Sequence, residues 1–231
     1  MVGVQLQHLV ALHALAAGLL GQHLFHLDGQ RAVGAQAHRV ILQAGGDLDF
    51  LHLAVQSSLH GVEDETDKIL DIGCGGGKNL ERFAKQIGKD GCVVGIDYSE
   101  VSVEKSTDLN KQAIDDGKVK VLQGSVSEMP FEDESFDIVT GFETIYFWPD
   151  FINDLKEVNR VLKKDGLVFF CNEAVYREGK MDKYEDLIEL LDMKIYSEDV
   201  LKSALEKAGF KDFKAFIQDE NEWICVTARK A

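Results

Sequence analysis

The sequence predicts an α/β fold from residue 68 onward, with a mainly parallel sheet and helices on both faces. Three observations carry this expectation. Short apolar runs alternate with amphipathic stretches of helical period from Lys68 to Cys171, the pattern of right-handed βαβ units. A glycine-rich turn, Gly73-Cys74-Gly75-Gly76-Gly77, joins the first run to the first helical stretch. Two further apolar runs close the chain around a polar turn and read as a hairpin.

The elements follow in order. Lys68-Ile-Leu-Asp-Ile-Gly73 is a short apolar run ending in glycine, so a buried strand. Lys78 to Gln86 reads as a helix with Leu80, Phe83 and Ala84 on one face. Cys92-Val-Val-Gly-Ile-Asp97 is a second strand, and Ser99 caps a helix expected to run to about Asp116. Val119 to Leu122 and Phe136 to Thr140 are the third and fourth strands. Ile152, Leu155, Val158 and Leu162 form a helical stripe that Gly166 is expected to end, and Leu167 to Cys171 is the fifth strand. Ser197 caps a helix that turns Val200, Leu201, Ala204, Leu205 and Ala208 inward until Gly209. Phe213 to Ile217 and Trp223 to Thr227 form the closing hairpin.

A compositional boundary near Gly61 divides the chain into 1–61 and 62–231. All 7 histidines lie before it, no lysine precedes Lys68, and no glutamate precedes Glu63. Two readings of residues 1–61 stand side by side: a helical extension of unusual composition, or a segment foreign to the domain that follows. Residues 1–27 carry no charged side chain. They also lack the positive start of a signal peptide, and glutamines and histidines interrupt them, so neither a targeting nor a membrane-spanning template fits. His23 and His26 are helically adjacent, but without carboxylates or a repeat they make no metal site.

Composition sets limits. A net charge of −15 repels phosphate backbones, which argues against nucleic acid as a partner. The 4 cysteines, Cys74, Cys92, Cys171 and Cys225, are far apart and form no C-x-x-C pair. No zinc or disulfide framework is expected, and a reducing cytoplasm fits best. The oligomeric state is not readable.

The glycine loop is the most informative motif. Glycines between a strand and a helix let a ligand lie on bare main chain, beyond the carboxyl ends of the strands. A phosphate-binding P-loop requires G-x-x-x-x-G-K-[ST]. Here Ile72 stands at its first position and Asn79 at its last. A dinucleotide fingerprint requires G-x-G-x-x-G/A, and Lys78 stands at its sixth position. The pattern that fits is an acid followed by G-x-G-x-G: Asp71, Gly73, Gly75 and Gly77. A carboxylate at this mouth repels pyrophosphate and suits a ligand with an ammonium group.

The run Ile69-Leu-Asp-Ile-Gly-Cys-Gly-Gly-Gly77 resembles motif I of the class I S-adenosylmethionine (SAM)-dependent methyltransferases. The likeness continues through Gly95-Ile-Asp-Tyr-Ser99, Gln123 to Phe131, Ser135 to Val139 and Leu155 to Gly166, five blocks in order over most of Lys68 to Lys230. It implies a Rossmann-like fold: a seven-stranded, mainly parallel sheet with a reversed last strand, which the C-terminal hairpin suits. It also implies SAM as cofactor. By the same resemblance Asp71 receives the methionine ammonium, partly through water. Gly73, Cys74, Gly75 and Gly77 lay the methionine part on the backbone, and Asn79 bonds its carboxylate. Asp97 takes both ribose hydroxyls, Tyr98 lies against the adenine, and Phe142 flanks the ligand. Ser125 is a departure, because the family often has aspartate there. Adenine recognition then rests on Ser125, the Val126 amide and shape.

Transfer from a sulfonium is an in-line displacement, so the protein mainly positions the acceptor and excludes water. A base helps where the acceptor must lose a proton. Glu143 and then Tyr146, in Gly141-Phe-Glu-Thr-Ile-Tyr-Phe-Trp148, are the candidates for that polar role, and packing or ligand contact is the alternative for each. Asn172 and Glu173 end the fifth strand on the same side. The Asn/Asp-Pro-Pro-Tyr motif of amino-methylating nucleic-acid enzymes does not occur. The expectation is a cytoplasmic methyltransferase acting on a small molecule. The alternative is a SAM-binding protein without turnover, if residues 1–61 leave the site uncovered. An oxidoreductase is disfavoured because the dinucleotide fingerprint fails.

Overall fold

The computed structural model describes residues 67–218 and 223–231. The readings of residues 1–61 and of the polar hairpin turn at 219–222 fall outside them. Seven strands form one sheet: β1 Lys68–Ile72, β2 Cys92–Asp97, β3 Val119–Gln123, β4 Phe136–Phe142, β5 Leu162–Asn172, β6 Phe210–Gln218 and β7 Trp223–Lys230, in the order β3-β2-β1-β4-β5-β7-β6. The ladder from β3 to β5 is parallel. β7 runs antiparallel to both β5 and β6, which is the expected reversed strand.

The parallel strands are apolar because both their faces are covered. Alternation along β1 sends Leu70 and Ile72 to one core and Ile69 to the other. The first core takes Val139, Val168 and Phe170 from neighbouring strands. Helix α4 (Phe151–Val161) adds Leu155, Val158 and Val161, and helix α6 (Glu198–Lys207) adds Leu201 and Leu205. The second takes Val93, Ile138 and Phe169, covered by Leu80, Phe83 and Ala84 of helix α1 (Lys78–Ala84). Helix α2 (Glu100–Leu109) starts on the Ser99 cap, whose hydroxyl accepts the Ser102 N–H.

Three elements differ from expectation. The helix read from Ser99 to Asp116 is broken at Asn110, leaving α2 and a short α3 (Lys111–Asp115). The Asn110 amide is buried and donates to the carbonyls of Gly77 (3.0 Å) and Ser106 (2.9 Å), so the break pins the helix to the glycine loop. Helix α4 ends at Val161, before Gly166. Leu162 is already extended (φ −79°, ψ 137°) and pairs with Phe136. Lys163–Gly166 then bulges out of β5, with Asp165 left-handed (φ 59°) and Lys163 on the Asp137 carboxylate at 2.7 Å. The third is the stretch between β5 and α6, which holds a helical turn at Asp182–Tyr184 and helix α5 (Glu185–Leu191).

The chain reaches β3 at one edge and then returns to β4 beside β1. The strand order therefore reverses between β1 and β4. Open α/β sheets bind ligands beyond the strand ends at such a point.

Candidate cofactor and acceptor site

The glycine loop lies at that reversal. It is held from below by the Gly73 N–H, which donates to the Ile96 carbonyl at 2.8 Å. Gly73, Gly75 and Gly77 are all left-handed, with φ of 70°, 53° and 78°. Gly77 is a packing glycine as well: a β-carbon there falls 2.2 Å from Ser106 Oγ and 2.9 Å from Ser106 Cα. Gly75 and Gly76 are different, since a β-carbon on either meets nothing within 4 Å. The loop thus presents bare main chain over these two residues, a cradle that an extended ligand segment fits. The Cys74 thiol is buried on the inner side, and burial together with the nearby Asp71 and Asp97 pushes its pKa up. It is packing in the loop, not a nucleophile.

Two carboxylates flank the loop at the ends of adjacent strands. Asp97 accepts the Gly75 N–H at one oxygen and the Ser99 N–H at the other, both at 2.9 Å. A carboxylate has about four lone-pair sites, so capacity for two hydroxyl donors remains. Asp71 is 1% exposed and accepts the Thr140 hydroxyl at 2.7 Å. Burial raises its pKa from 3.8 to about 7, the Thr140 bond opposes this, and the charge of Asp97 adds to it. A buried acid such as Asp71 is costly when ionised without a cation beside it, and an ammonium group relieves that cost. The donor set therefore fits a ligand with a vicinal diol at one end and an ammonium at the other.

The remaining candidates lie around this axis. Tyr98 follows β2 and is 78% exposed, with its ring available to a flat partner. Asn79 is in the first turn of α1, and Arg82 approaches its amide oxygen at a long 3.5 Å. The Ser125 hydroxyl accepts the Ser127 N–H at 3.2 Å, which builds the turn after β3 and leaves its proton to donate. Val126 is buried in the core shared with Ile96 and Met129. Phe142 ends β4, partly buried, its ring 5.8 Å from Phe169 and 6.4 Å from Phe83.

A second cluster follows β4. Glu143 is left-handed (φ 57°), an uncommon conformation for a residue with a long side chain. Its carboxylate accepts the Glu173 N–H at 2.5 Å and the Tyr146 hydroxyl proton. Its own N–H donates to the Cys171 carbonyl at 3.0 Å. Tyr146 Oη in turn accepts the Ala174 N–H at 2.9 Å. These bonds clamp the end of β5 to the segment after β4. Burial and the Glu173 charge raise the Glu143 pKa from 4.5 to about 8, against the two hydrogen bonds. Between the clamped residues sits Asn172, 1% exposed, with neither side-chain amide atom hydrogen-bonded. Such a group is costly in a folded protein.

Several supporting residues were not picked out from the sequence. Thr144 puts its hydroxyl where a β-carbon on Gly73 would fall, 2.4 Å away, and accepts the Trp148 indole N–H at 3.3 Å. Thr140 and Asn110 hold Asp71 and Gly77. Their one visible signal is a polar residue inside an apolar strand and an asparagine inside a helix. No group of acids, histidines and cysteines among the described residues is arranged to hold a metal.

Comparison with known proteins bears on the domain and its fold. Residues 70–170 match the family model described as a methyltransferase domain. Demethylmenaquinone methyltransferase of Staphylococcus aureus is 36% identical over 148 residues. That match takes in 58% of this chain, and the chain spans only 58% of the relative's length. Phosphoethanolamine N-methyltransferase 2 of Haemonchus contortus, solved with S-adenosyl-L-methionine, superposes with a TM-score of 0.68 at 18% identity, over 81% of this chain and 53% of that one. A SAM-dependent methyltransferase of Aquifex aeolicus gives 0.60 at 23% identity, over 73% and 84%. These two show the fold. With the seven-stranded order and the acid-flanked glycine loop, residues 70–170 form a domain similar to those of the class I SAM-dependent methyltransferases, whose cofactor is S-adenosylmethionine.

Proposed function

We propose that this protein methylates a small-molecule acceptor, with SAM held between Asp71 and Asp97 and Glu143 managing the acceptor's proton. The supporting observation is the pair of buried carboxylates ending β1 and β2 on either side of the open Gly75-Gly76 backbone. In this reading Asp97 takes the ribose hydroxyls, Asp71 the ammonium, and Gly73 to Gly77 the chain between them. Asn79, Tyr98, Ser125, Val126 and Phe142 complete the cofactor side as set out above. The cofactor supplies a methyl group on a sulfonium, so the protein needs only to orient the acceptor, keep water out and receive a proton where one must leave.

Glu143 suits that last task. A base titrating near 8 combines a useful ionised fraction with real proton affinity. A phenolic acceptor, with a pKa near 10, is matched to it. The curated relatives are named for a quinone acceptor, which makes hydroxylated aromatic rings the first class to test. Tyr146 acts through Glu143, donating to it while fixing Ala174. The chain's net charge of −15 supports a small acceptor over nucleic acid. No helix among the described residues is long and apolar enough to cross a membrane, and a cytoplasmic location is part of the proposal. So is the division into residues 1–61 and the methyltransferase domain 62–231.

Incubating the full chain with methyl-labelled SAM and naphthalene-1,4-diol tests the reading. Labelled product is expected, with a rate that rises with pH through about 8 and falls at least 100-fold in Glu143→Gln. SAM bound with no methylated product across phenols, amines and thiols supports binding without turnover instead.

A further inference from the structure

We propose that Thr140 is a positioning residue for the cofactor, aiming the Asp71 carboxylate at the ammonium end of SAM through a hydrogen bond across the β1–β4 pairing. The inference rests on the reading of the site given above. Asp71 and Thr140 are register partners on adjacent parallel strands. Both are buried, at 1% and 0% exposed. The Thr140 hydroxyl lies 2.7 Å from Asp71 Oδ1 and 3.3 Å from the Leu70 carbonyl, so its single proton goes to the shorter, charged acceptor.

A threonine hydroxyl inside a sheet needs such a reason. Every other residue from Ile138 to Gly141 is apolar, and valine fills the same volume in a strand without a polar atom to satisfy. What Thr140 adds is the hydrogen bond that holds the Asp71 carboxylate, the one side-chain bond on it among the described residues. The groups acting on Asp71 are the Asp97 carboxylate from β2, the Cys74 thiol from the loop, and Thr140 from β4. Burial and Asp97 favour the protonated acid; the Thr140 bond alone favours the anion. It also fixes the rotation of the carboxylate by occupying one of its about four lone-pair sites, leaving the others to the ligand. Without it, Asp71 keeps its proton to higher pH and loses its orientation, and cofactor binding suffers only at the amino-acid end.

That selectivity makes the inference testable. The affinities of SAM and of 5′-methylthioadenosine, which has the nucleoside but no amino-acid part, are measured on full-length wild type, Thr140→Val and Thr140→Ser between pH 6 and 9. Wild-type affinity for SAM should rise through about pH 7 and fall again above about pH 8, where the ligand's own ammonium loses its proton. In Thr140→Val the midpoint of the rise should move up by roughly one unit, and SAM binding at pH 7 should fall about fivefold. Thr140→Ser should stay within about twofold of wild type, and 5′-methylthioadenosine should bind all three proteins alike. A carbon-13 titration of the Asp71 carboxyl without cofactor should show the same upward move. Loss of both ligands in parallel would make Thr140 merely structural and overturn the inference. So would wild-type SAM affinity and pH profile in Thr140→Val. Failure of the wild type itself to bind SAM would remove the reading of the whole site, and this inference with it.

Discussion

Replacing Asp71 by asparagine should make the cofactor-free protein more stable at pH 8 while weakening its hold on SAM. The folded protein raises the Asp71 pKa from 3.8 to about 7. Native Asp71 therefore binds its proton more tightly than the unfolded chain does. Wherever the native state holds the extra proton, stability falls as pH rises. For Asp71 that window runs from about pH 4 to about pH 7. At 1.36 kcal/mol per unit, the ionised group costs roughly 4 kcal/mol at pH 8 relative to its neutral form. Asparagine removes that cost and still offers an oxygen to the Thr140 hydroxyl. A domain of this size gains about 2–4 °C in Tm per kcal/mol, so a rise of roughly 8–16 °C is expected at pH 8 and little change at pH 4. Scanning calorimetry of both proteins at pH 4, 6 and 8 measures it. A variant less stable than wild type at pH 8 by as much as at pH 4 refutes the argument, because Asp71 would then be a structural acid and not one kept at a cost for a cation.

Further predictions follow the same logic. Asp97→Ala deletes the acceptor of the Gly75 and Ser99 N–H groups and the expected ribose contact, so SAM affinity by titration calorimetry should drop more than tenfold. Gly77→Ala combines a left-handed φ with contacts of 2.2 and 2.9 Å to Ser106 and should cost about 2–4 kcal/mol in urea unfolding. Gly75→Ala meets nothing, so only its φ of 53° counts; a loss of about 1–2 kcal/mol should accompany a larger loss of SAM binding. Asn172→Leu removes an unpartnered buried amide and should leave Tm unchanged or raised, which thermal unfolding would show.

The fold was legible where one residue type has one physical use. Buried parallel strands must be apolar on both faces, so β1 and β2 stand out in the sequence, and positive φ with close packing demands glycine in the loop. What escaped depends on partners distant in sequence. Asn110 breaks its helix for the Gly77 carbonyl, 33 residues away. Leu162 leaves α4 for β5 because Phe136 is there to pair with. The strand register that puts Thr140 opposite Asp71 cannot be read from either strand alone. On the site, the acid-led glycine run and Asp97 were visible as a pattern, and Glu143 was visible as a polar residue in an aromatic stretch. Its left-handed backbone, its bond to the Glu173 N–H and its raised pKa arise only when β4 and β5 end side by side.

The central claim is that the ends of β1 and β2 form a cradle for a cationic adenosyl sulfonium, and a crystal structure of the full chain grown with SAM tests it most directly. The account predicts both ribose hydroxyls on the Asp97 carboxylate, the methionine chain along Gly75 and Gly76, and the ammonium within reach of Asp71. A well-ordered SAM seated elsewhere on the protein, away from those two acids, would contradict it.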